Sequence, residues 1–423
     1  MKHTECKQLS DRTLNSEIKS VVERSSRLLR PRRSQEGGFL FTMSSSLLIP
    51  TALGLLLFLL HTVTSSDEQD GTLRLIHVIF RHGHRTPADT YPNDPYAKHS
   101  FEPFGWGQLT NVGKRAQFAQ GEFLRRPYDS FLGDRYSPDY LKVQCTDVDR
   151  TKMSTMLFLA GLFPPKGDQV WNPNLLWQPI PLNYETMKYD RLLLGRYPCP
   201  RYQEELDNVF NSPEVRAILE ANKNLLDYAS KESGMPIVTP DDAQSLYSTL
   251  KAERELGLTL PAWTNAIFPD PLSKITAQSF VINAMTPVLQ RLKGGFLLKK
   301  IIEDTNDKLS GRTKMKMFVY GAHDSTIANF LLTLGVWDMQ IPEYNSLIIL
   351  EVHQLQPGRH GIRVFLRNTT SEPYLLQIPG CSKICPWENF VSLTSSKIPV
   401  RSYDEECQAL NPNFVYRESS GGP

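Results

Sequence analysis

The sequence has little net charge, no repeats and none of the common metal-binding motifs. Its 423 residues carry a formal net charge of only +2 at pH 7, so its charge gives no reason to expect a nucleic-acid partner. It contains no internal repeat and no low-complexity tract, so we do not expect a repeat architecture. An HExxH motif and an acidic cluster are also missing, which disfavours a metal site, and we expect no cofactor.

Long apolar runs are scarce, and the one present lies near the N-terminus. Residues 47–60 follow a basic leader, residues 1–42, with nine Lys or Arg and five Asp or Glu, and they precede the acidic sequence DEQD. This order predicts a secretory signal peptide within 43–66, cleaved near Ser65 or Ser66, and a mature protein that is secreted or lysosomal. The alternatives are a retained type II membrane anchor with the leader in the cytosol, or a start at Met43.

Cysteine is sparse as well. Of six cysteines, Cys6 precedes the signal segment, which leaves five in the exported body. In an oxidising compartment these allow two disulfides and one free thiol, and the alternative is that all five are reduced. The sequon at Asn368 is usable for N-glycosylation, which agrees with export.

Strand-like and helix-like segments alternate in a way that predicts the fold class. Strands are predicted over residues 73–80, 316–320, 346–355, 361–368 and 374–378, with a hairpin turn at Pro357-Gly358. The first strand is almost wholly apolar, as expected of a strand covered on both faces of a sheet.

Helices are predicted between these strands. One begins after Thr110, one covers 149–162, and Ser212-Pro213 and Thr239-Pro240 begin two more. The residues expected to face inward are Val112, Ala116, Ala119 and Phe123 in the first helix and Met153, Met156, Leu157 and Ala160 in the second. We therefore predict an α/β domain of residues 67–170 and 276–423, which carries a mostly helical cap of residues 171–275.

The segment directly after the first strand has the residue types of a phosphoryl-transfer site. It reads Arg81-His82-Gly83-His84-Arg85, and ligands of α/β sheets bind beyond the carboxyl ends of strands. Arginine forks match phosphate oxygens, glycine allows the backbone to approach an anion, and a neutral imidazole can attack phosphorus. We predict His82 as the nucleophile and Arg81 and Arg85 as phosphate ligands.

A second pair, His323-Asp324, also follows a strand and opens a helix. The helix N-terminus favours an anion, and His323 can hold a phosphate oxygen. Asp324 can protonate the leaving oxygen if it is protonated before the reaction, which predicts an acidic working pH.

Simpler interpretations of the histidines and arginines were weighed. Arg and His near a strand end often make ordinary surface contacts, and His82 and His84 could be metal ligands together with His77, His99 or His323. His84 alone is more typical of a loop residue, and His77, which alternates within a strand, of a hydrogen-bonded core histidine.

Further motifs carry a family resemblance. They are YPNDPY (91–96), GWGQLTNVG (105–113), TDVDRTKMS (146–154), LFPP (162–165), WQPIP (177–181), CPRY (199–202), GLTLPAWT (257–264), GAHDSTIA (321–328) and PGCSKICPWENF (379–390). With RHGHRTP they resemble the histidine acid phosphatases of the prostatic and lysosomal type, and most closely the insect venom acid phosphatases, over residues 73 to 407. The resemblance implies a sandwich with a central mixed sheet, an inserted helical cap, and hydrolysis through a phosphohistidine without a metal.

The resemblance also implies the role of each site residue and the cysteine pairing. His82 would be the nucleophile, Asp324 the proton donor, and Arg81, Arg85 and His323 phosphate ligands. Cys199 would pair with Cys407 and Cys381 with Cys385, which leaves Cys145 as the free thiol, and vertebrate relatives suggest a homodimer.

One departure from the family is expected. A third phosphate-binding arginine is expected just before the position of Cys145, where this sequence has Gln144. Arg150 is close in sequence, but we expect its helix to direct it elsewhere. The loss of one charged hydrogen bond would cost about 1.5–3 kcal/mol.

These observations predict an acid phosphatase that acts on small phosphate monoesters or phosphotyrosine. One alternative is an exported phosphate-binding or allergen-like protein with weak or lost turnover because of Gln144. Another is a phytase or inositol polyphosphate phosphatase, which the slightly acidic body disfavours. A membrane partner is expected only if the signal segment is retained.

Overall fold

A seven-stranded mixed sheet forms the centre of the fold. The structure, a computed structural model, describes residues 72–195, 197–368 and 371–418. The strand order is β2-β3-β1-β4-β5-β6, with β7 paired to β5. β2, β3 and β1 are parallel, whereas β4, β5, β6 and β7 join in antiparallel fashion. The predicted α/β fold with a mixed sheet is confirmed, and the predicted leader (1–42) and signal segment (43–66) lie outside the described residues.

The elements follow in chain order. The strands are β1 (Leu73–Arg81), β2 (Leu141–Cys145), β3 (Met317–Ala322), β4 (Leu347–Gln356), β5 (Arg359–Arg367), β6 (Tyr374–Leu376) and β7 (Cys385–Pro386). The α-helices are α1 (Asn111–Leu132), α2 (Asp149–Leu162), α3 (Pro200–Phe210), α4 (Pro213–Ala221), α5 (Lys223–Ser233), α6 (Pro240–Glu255), α7 (Leu272–Asn283), α8 (Pro287–Lys293), α9 (Gly295–Leu309), α10 (Asp324–Leu334), α11 (Trp387–Thr394) and α12 (Tyr403–Glu406).

Helices cover both faces of the sheet. Leu75 and Ile79 of β1 pack with apolar residues of α9 and α10 on one face. Ile76, Val78 and Phe80 pack with residues of α1 and α2 on the other. Because alternate residues of a strand point to opposite faces, the continuous apolar run of β1 supplies both layers of the core.

The inward faces predicted for α1 and α2 are wrong. Val112 and Met156 are exposed, and the buried stripes of the two helices contain glycine and polar residues instead. A Cβ atom added to Gly121 would lie 2.0 Å from the Phe158 carbonyl, and one added to Gly161 would lie 2.2 Å from the Phe118 carbonyl. The helices therefore cross through glycine contacts that an apolar-periodicity argument does not detect.

The chain between β2 and β3 is mostly helical and has its own apolar cluster. Leu226, Leu246, Tyr247 and Phe268 are among its buried members. The cap boundary predicted at residue 275 falls inside α7, which continues to Asn283. The division into an α/β domain and a cap stays a prediction.

The cysteines pair as the resemblance implied. Disulfides join Cys199 to Cys407 and Cys381 to Cys385, and Cys145 is a buried free thiol. Among the described residues no helix has the length and apolarity needed to cross a membrane.

Candidate active site

The parallel register of β1 and β3 brings the two predicted motifs together. Arg81 is opposite Ala322, and the next residues, His82 and His323, leave the same edge of the sheet. The His82 backbone N–H donates to the Ala322 carbonyl at 3.0 Å, and the two imidazole centroids are 5.3 Å apart. Neighbouring parallel strands end at one edge, so the motifs meet although they are far apart in sequence.

His82 is held as a neutral ring with one nitrogen directed into the site. Its Nδ1 lies 2.9 Å from the carbonyl oxygen of Gly83, which can only accept, so Nδ1 carries the proton. Its Nε2 is 3.1 Å from Nε of Arg150 and accepts that N–H. Burial, followed by the charges of Arg150 and His323, holds the pKa of His82 well below its usual value. The Nε2 lone pair is therefore available even in acid.

Arg150 belongs to this site, and the expectation that it points elsewhere is wrong. It occupies the first turn of α2, on the buried stripe that continues with Ser154. The Ser154 hydroxyl donates to the Arg150 carbonyl at 2.7 Å and accepts from the Gly83 N–H at 3.1 Å, which ties α2 to the catalytic loop. The Met stripe misled the sequence argument, because this helix packs by its small and polar side.

Gln144 is not the position that supplies the third guanidinium. It lies within β2, opposite Tyr320, and its backbone bridges to Asn183. The site begins two residues later at Thr146, whose hydroxyl lies 2.9 Å from His323 Nε2. The expected loss of a phosphate ligand at Gln144 is therefore corrected: Arg150 brings a third guanidinium to His82.

Arg81 and Arg85 complete a buried group of cations. Arg81 bonds the Pro342 carbonyl and stacks on the Tyr344 ring, with Cζ 4.3 Å from its centroid, and Arg85 bonds the Thr86 carbonyl. Among the described residues neither arginine has a hydrogen-bond partner for its Nε. Burial and the charge of Arg85 lower the pKa of Arg150 to about 9. Such an excess of positive charge favours an anion.

Asp324 is paired with Arg81 in this resting state. Its Oδ2 lies 2.8 Å from Arg81 Nη2. Burial alone would raise the pKa of Asp324, but the charges of Arg81 and His323 outweigh it and the pKa is lowered. A carboxyl that is already protonated before substrate binds, as the sequence argument required, is therefore disfavoured by this ion pair.

Gly83 has a packing role in addition to its place beside the anion site. A Cβ atom there would lie 2.8 Å from the Gly113 carbonyl, and one on Gly113 would lie 2.3 Å from the His84 carbonyl. The catalytic loop thus lies directly on the start of α1, where the Thr110 side chain caps the helix. Gln117 of the same helix donates to the Arg81 carbonyl at 2.9 Å.

The other histidines take different roles. His77 is buried in β1 and bonds Thr305 at 3.0 Å, as predicted for a core histidine. His84 bonds Thr110 at 2.7 Å and faces Glu255, while His99 accepts from the Phe101 N–H at 2.9 Å within a loop. In the part of the chain that the structure describes, no three His, Cys, Asp or Glu side chains are grouped to hold a metal ion.

The sequon asparagine is engaged in the fold. Asn368 donates to Gln340 at 2.8 Å and accepts from the Glu343 N–H and the Ser346 hydroxyl. Glycosylation of Asn368 stays a prediction, and a glycan there would have to replace the bond to Gln340.

Comparison with known proteins agrees with the motifs. The profile of the histidine phosphatase superfamily (branch 2) matches residues 72–367. Venom acid phosphatase Acph-1 of Apis mellifera is 39% identical over 334 residues, which is 77% of this chain and 86% of the relative. Human lysosomal acid phosphatase is 35% identical over 84% of this chain and 85% of its own length. Rat prostatic acid phosphatase is 36% identical over 85% and 94%.

Solved structures resemble the fold. The apo phytase of Hafnia alvei superposes with a TM-score of 0.56 over 80% of this chain and 98% of its own, at 19% identity. At that identity the likeness concerns the fold alone.

Proposed function

The chain belongs to branch 2 of the histidine phosphatase superfamily, and we propose that it is an acid phosphatase that hydrolyses small phosphate monoesters through a phosphohistidine on His82. The observation that carries this proposal is the contact of the His82 Nε2 lone pair with a guanidinium inside a buried cationic site. A nucleophile and its phosphate ligands are then within one cluster.

In the first step the phosphate displaces the Arg150 contact and lies among three guanidiniums. Arg81, Arg85 and Arg150 donate to its oxygens, with His323 as a further ligand. His82 Nε2 attacks phosphorus, the N–P bond forms, and the bond from phosphorus to the leaving oxygen breaks with its electron pair on that oxygen. The guanidiniums stabilise the charge on the equatorial oxygens.

The leaving oxygen takes its proton from Asp324. Because Arg81 holds Asp324 as a carboxylate before binding, we propose that the proton arrives with the substrate monoanion and passes to Asp324 as Arg81 turns to the phosphate. The second ionisation of a phosphate monoester has a pKa of about 6, so this route requires acid. The acidic working pH predicted from the sequence is kept, with a different source of the proton.

The second step regenerates the enzyme. Asp324, now a carboxylate, takes a proton from a water molecule that attacks phosphorus from the side that the leaving group vacated. The N–P bond breaks, its electron pair returns to His82 Nε2, and inorganic phosphate leaves.

The alternatives are weaker. The phosphate-binding alternative depended on a missing guanidinium, and Arg150 removes that premise. The phytase alternative has fold-level likeness alone, whereas relatives at 34–39% identity are named acid phosphatases.

Hydrolysis of p-nitrophenyl phosphate at about pH 5, a value that keeps the monoester largely a monoanion, tests this proposal. The wild type should turn over, His82→Ala should not, and a chelator should leave the rate unchanged. Equal rates for the wild type and His82→Ala would exclude His82 as the nucleophile.

We also propose that the protein is exported. The signal-like segment 43–66 supports this, as do relatives named venom and lysosomal acid phosphatases. Expression of the full chain in insect cells, followed by N-terminal sequencing, should yield a secreted product that begins near Asp67. A membrane-bound product that keeps the segment would favour the type II anchor instead. The homodimer stays a prediction, which light scattering of the purified protein can check.

A further inference from the structure

A cavity beside Asp324 extends from the phosphate site towards α6 and α7. Arg81 and Asp324 line one end, and Tyr247, Phe280 and Tyr344 form aromatic walls. The group that departs from phosphorus must lie next to the acid that protonates it. The cavity is therefore in the position of a leaving-group site.

The cavity also contains an amino group that two carboxylates neutralise. Lys251 of α6 forms an ion pair with Glu255 one helical turn later, and its Nζ lies 3.0 Å from Oε2 of Glu343. Burial lowers the pKa of Lys251, but the bonds to the two carboxylates outweigh it and the pKa is raised. With two negative charges for one positive charge, the Glu255–Lys251–Glu343 cluster repels an anion.

The remaining lining residues add no compensating positive charge. Gln244, Ser248 and Thr276 are polar and neutral, and Ile341 is apolar. Arg81 is already directed to the reacting phosphate and to Asp324.

We propose that the Glu255–Lys251–Glu343 cluster is a specificity device, which admits aromatic or other uncharged leaving groups and rejects leaving groups that carry a further phosphate. The inference rests on the proposed phosphatase function and names the substrate class of the same site. Without its carboxylates, Lys251 would bind such a second phosphate. With them in place, each further phosphate meets net negative charge as it leaves water.

Two substrates that differ by one phosphate provide the test: hydroquinone monophosphate and hydroquinone bisphosphate. The measured quantity is the ratio of kcat/KM for the bisphosphate to kcat/KM for the monophosphate. Glu343→Gln should raise this ratio about tenfold, since one unit charge near the second phosphate is removed. Lys251→Met should lower it. Glu343 is the better probe because Glu255 also faces His84, with 3.6 Å between Glu255 Oε2 and His84 Nε2.

Glu220→Gln is the matched control, since it removes one exposed carboxylate from helix α4. Its ratio should equal that of the wild type. An unchanged ratio in both Glu343→Gln and Lys251→Met, with the monophosphate still hydrolysed, would overturn the specificity device and leave the phosphatase proposal standing. Failure of the wild type to hydrolyse either substrate would instead defeat the phosphatase proposal, and the inference with it.

Discussion

Arg150 Nε lies 3.1 Å from His82 Nε2, so the proposed nucleophile already contacts a guanidinium before any phosphate is bound. The contact keeps the imidazole lone pair directed into the site, and the nearby charge keeps the ring neutral in acid. An incoming phosphate replaces this contact with bonds of its own to both groups. The relationship therefore links the position of the nucleophile to the position of the anion it attacks.

Substitution of Arg150 tests its place in the site. Arg150→Gln should lose a charged hydrogen bond worth about 1.5–3 kcal/mol, or roughly 10- to 100-fold in kcat/KM. Gln144→Arg and Gln144→Ala are the matched controls and should leave kcat/KM for p-nitrophenyl phosphate near the wild-type value. A gain of activity in Gln144→Arg, with Arg150→Gln unaffected, would restore the expectation from the sequence.

The sequence could predict the catalytic loop but not this arginine. His82 and Asp324 directly follow strands, and the rule that ligands bind beyond strand ends joined them correctly at one edge. Arg150 lies on a helix whose buried stripe is polar, and apolar periodicity gives that face no signal. A hint was available, because Arg150 and Ser154 are one turn apart on the side of the helix that carries small residues.

The pairing of Asp324 was equally out of reach. A residue pattern names a carboxyl as a proton donor, whereas its protonation state depends on the distance to Arg81. That distance follows from the register of β1 against β3, which the sequence does not specify.

The route of the proton predicts how the rate depends on pH. If the proton arrives with the substrate, kcat/KM falls about tenfold per pH unit above the second pKa of the substrate, about 6 for a phosphate monoester. Profiles from pH 4 to 8 for p-nitrophenyl phosphate and for an alkyl phosphate of higher second pKa should have alkaline limbs that shift with the substrate. Coincident limbs for the two esters would mean that Asp324 is protonated in the free enzyme.

Asp324→Asn should reveal the proton donor through the leaving group. The amide cannot supply a proton, so kcat should fall far more for an alkyl phosphate than for p-nitrophenyl phosphate, whose anion leaves without help. Pre-steady-state measurements with both esters give the two rates for the chemical step. Equal losses for the two esters would assign Asp324 to phosphate binding rather than to proton transfer.

The contact of the catalytic loop with α1 predicts a steric effect. Gly113→Ala places a Cβ atom 2.3 Å from the His84 carbonyl, so the loop must shift and kcat/KM should fall at least tenfold, since misplacement of about 1 Å can cost a hundredfold. Gly133→Ala at the other end of α1 has open space around its Cβ position and serves as a comparison for activity. Normal activity in Gly113→Ala would mean that the loop tolerates displacement.

A buried carboxyl predicts lower stability towards neutral pH. Burial, followed by the neighbouring charge of Asp94, raises the pKa of Glu253 from 4.5 to about 8. The folded state therefore keeps this proton where the unfolded chain loses it, and stability is full below about pH 4.5 and declines until about pH 8, by up to a few kcal/mol. Urea unfolding at pH 4.5, 6 and 8 should show the decline in wild type and a smaller one in Glu253→Gln. Parallel curves for the two proteins would contradict it.

Rapid-quench trapping of the covalent intermediate tests the central claim most directly. The enzyme is mixed with a ³²P-labelled phosphate monoester at acidic pH, quenched in alkali, in which phosphohistidine survives, and digested for peptide mapping. We predict one label per active site in the burst, on the peptide that contains His82 and on its imidazole. Label on another residue, or turnover without any trapped label while His82→Ala remains active, would contradict the account.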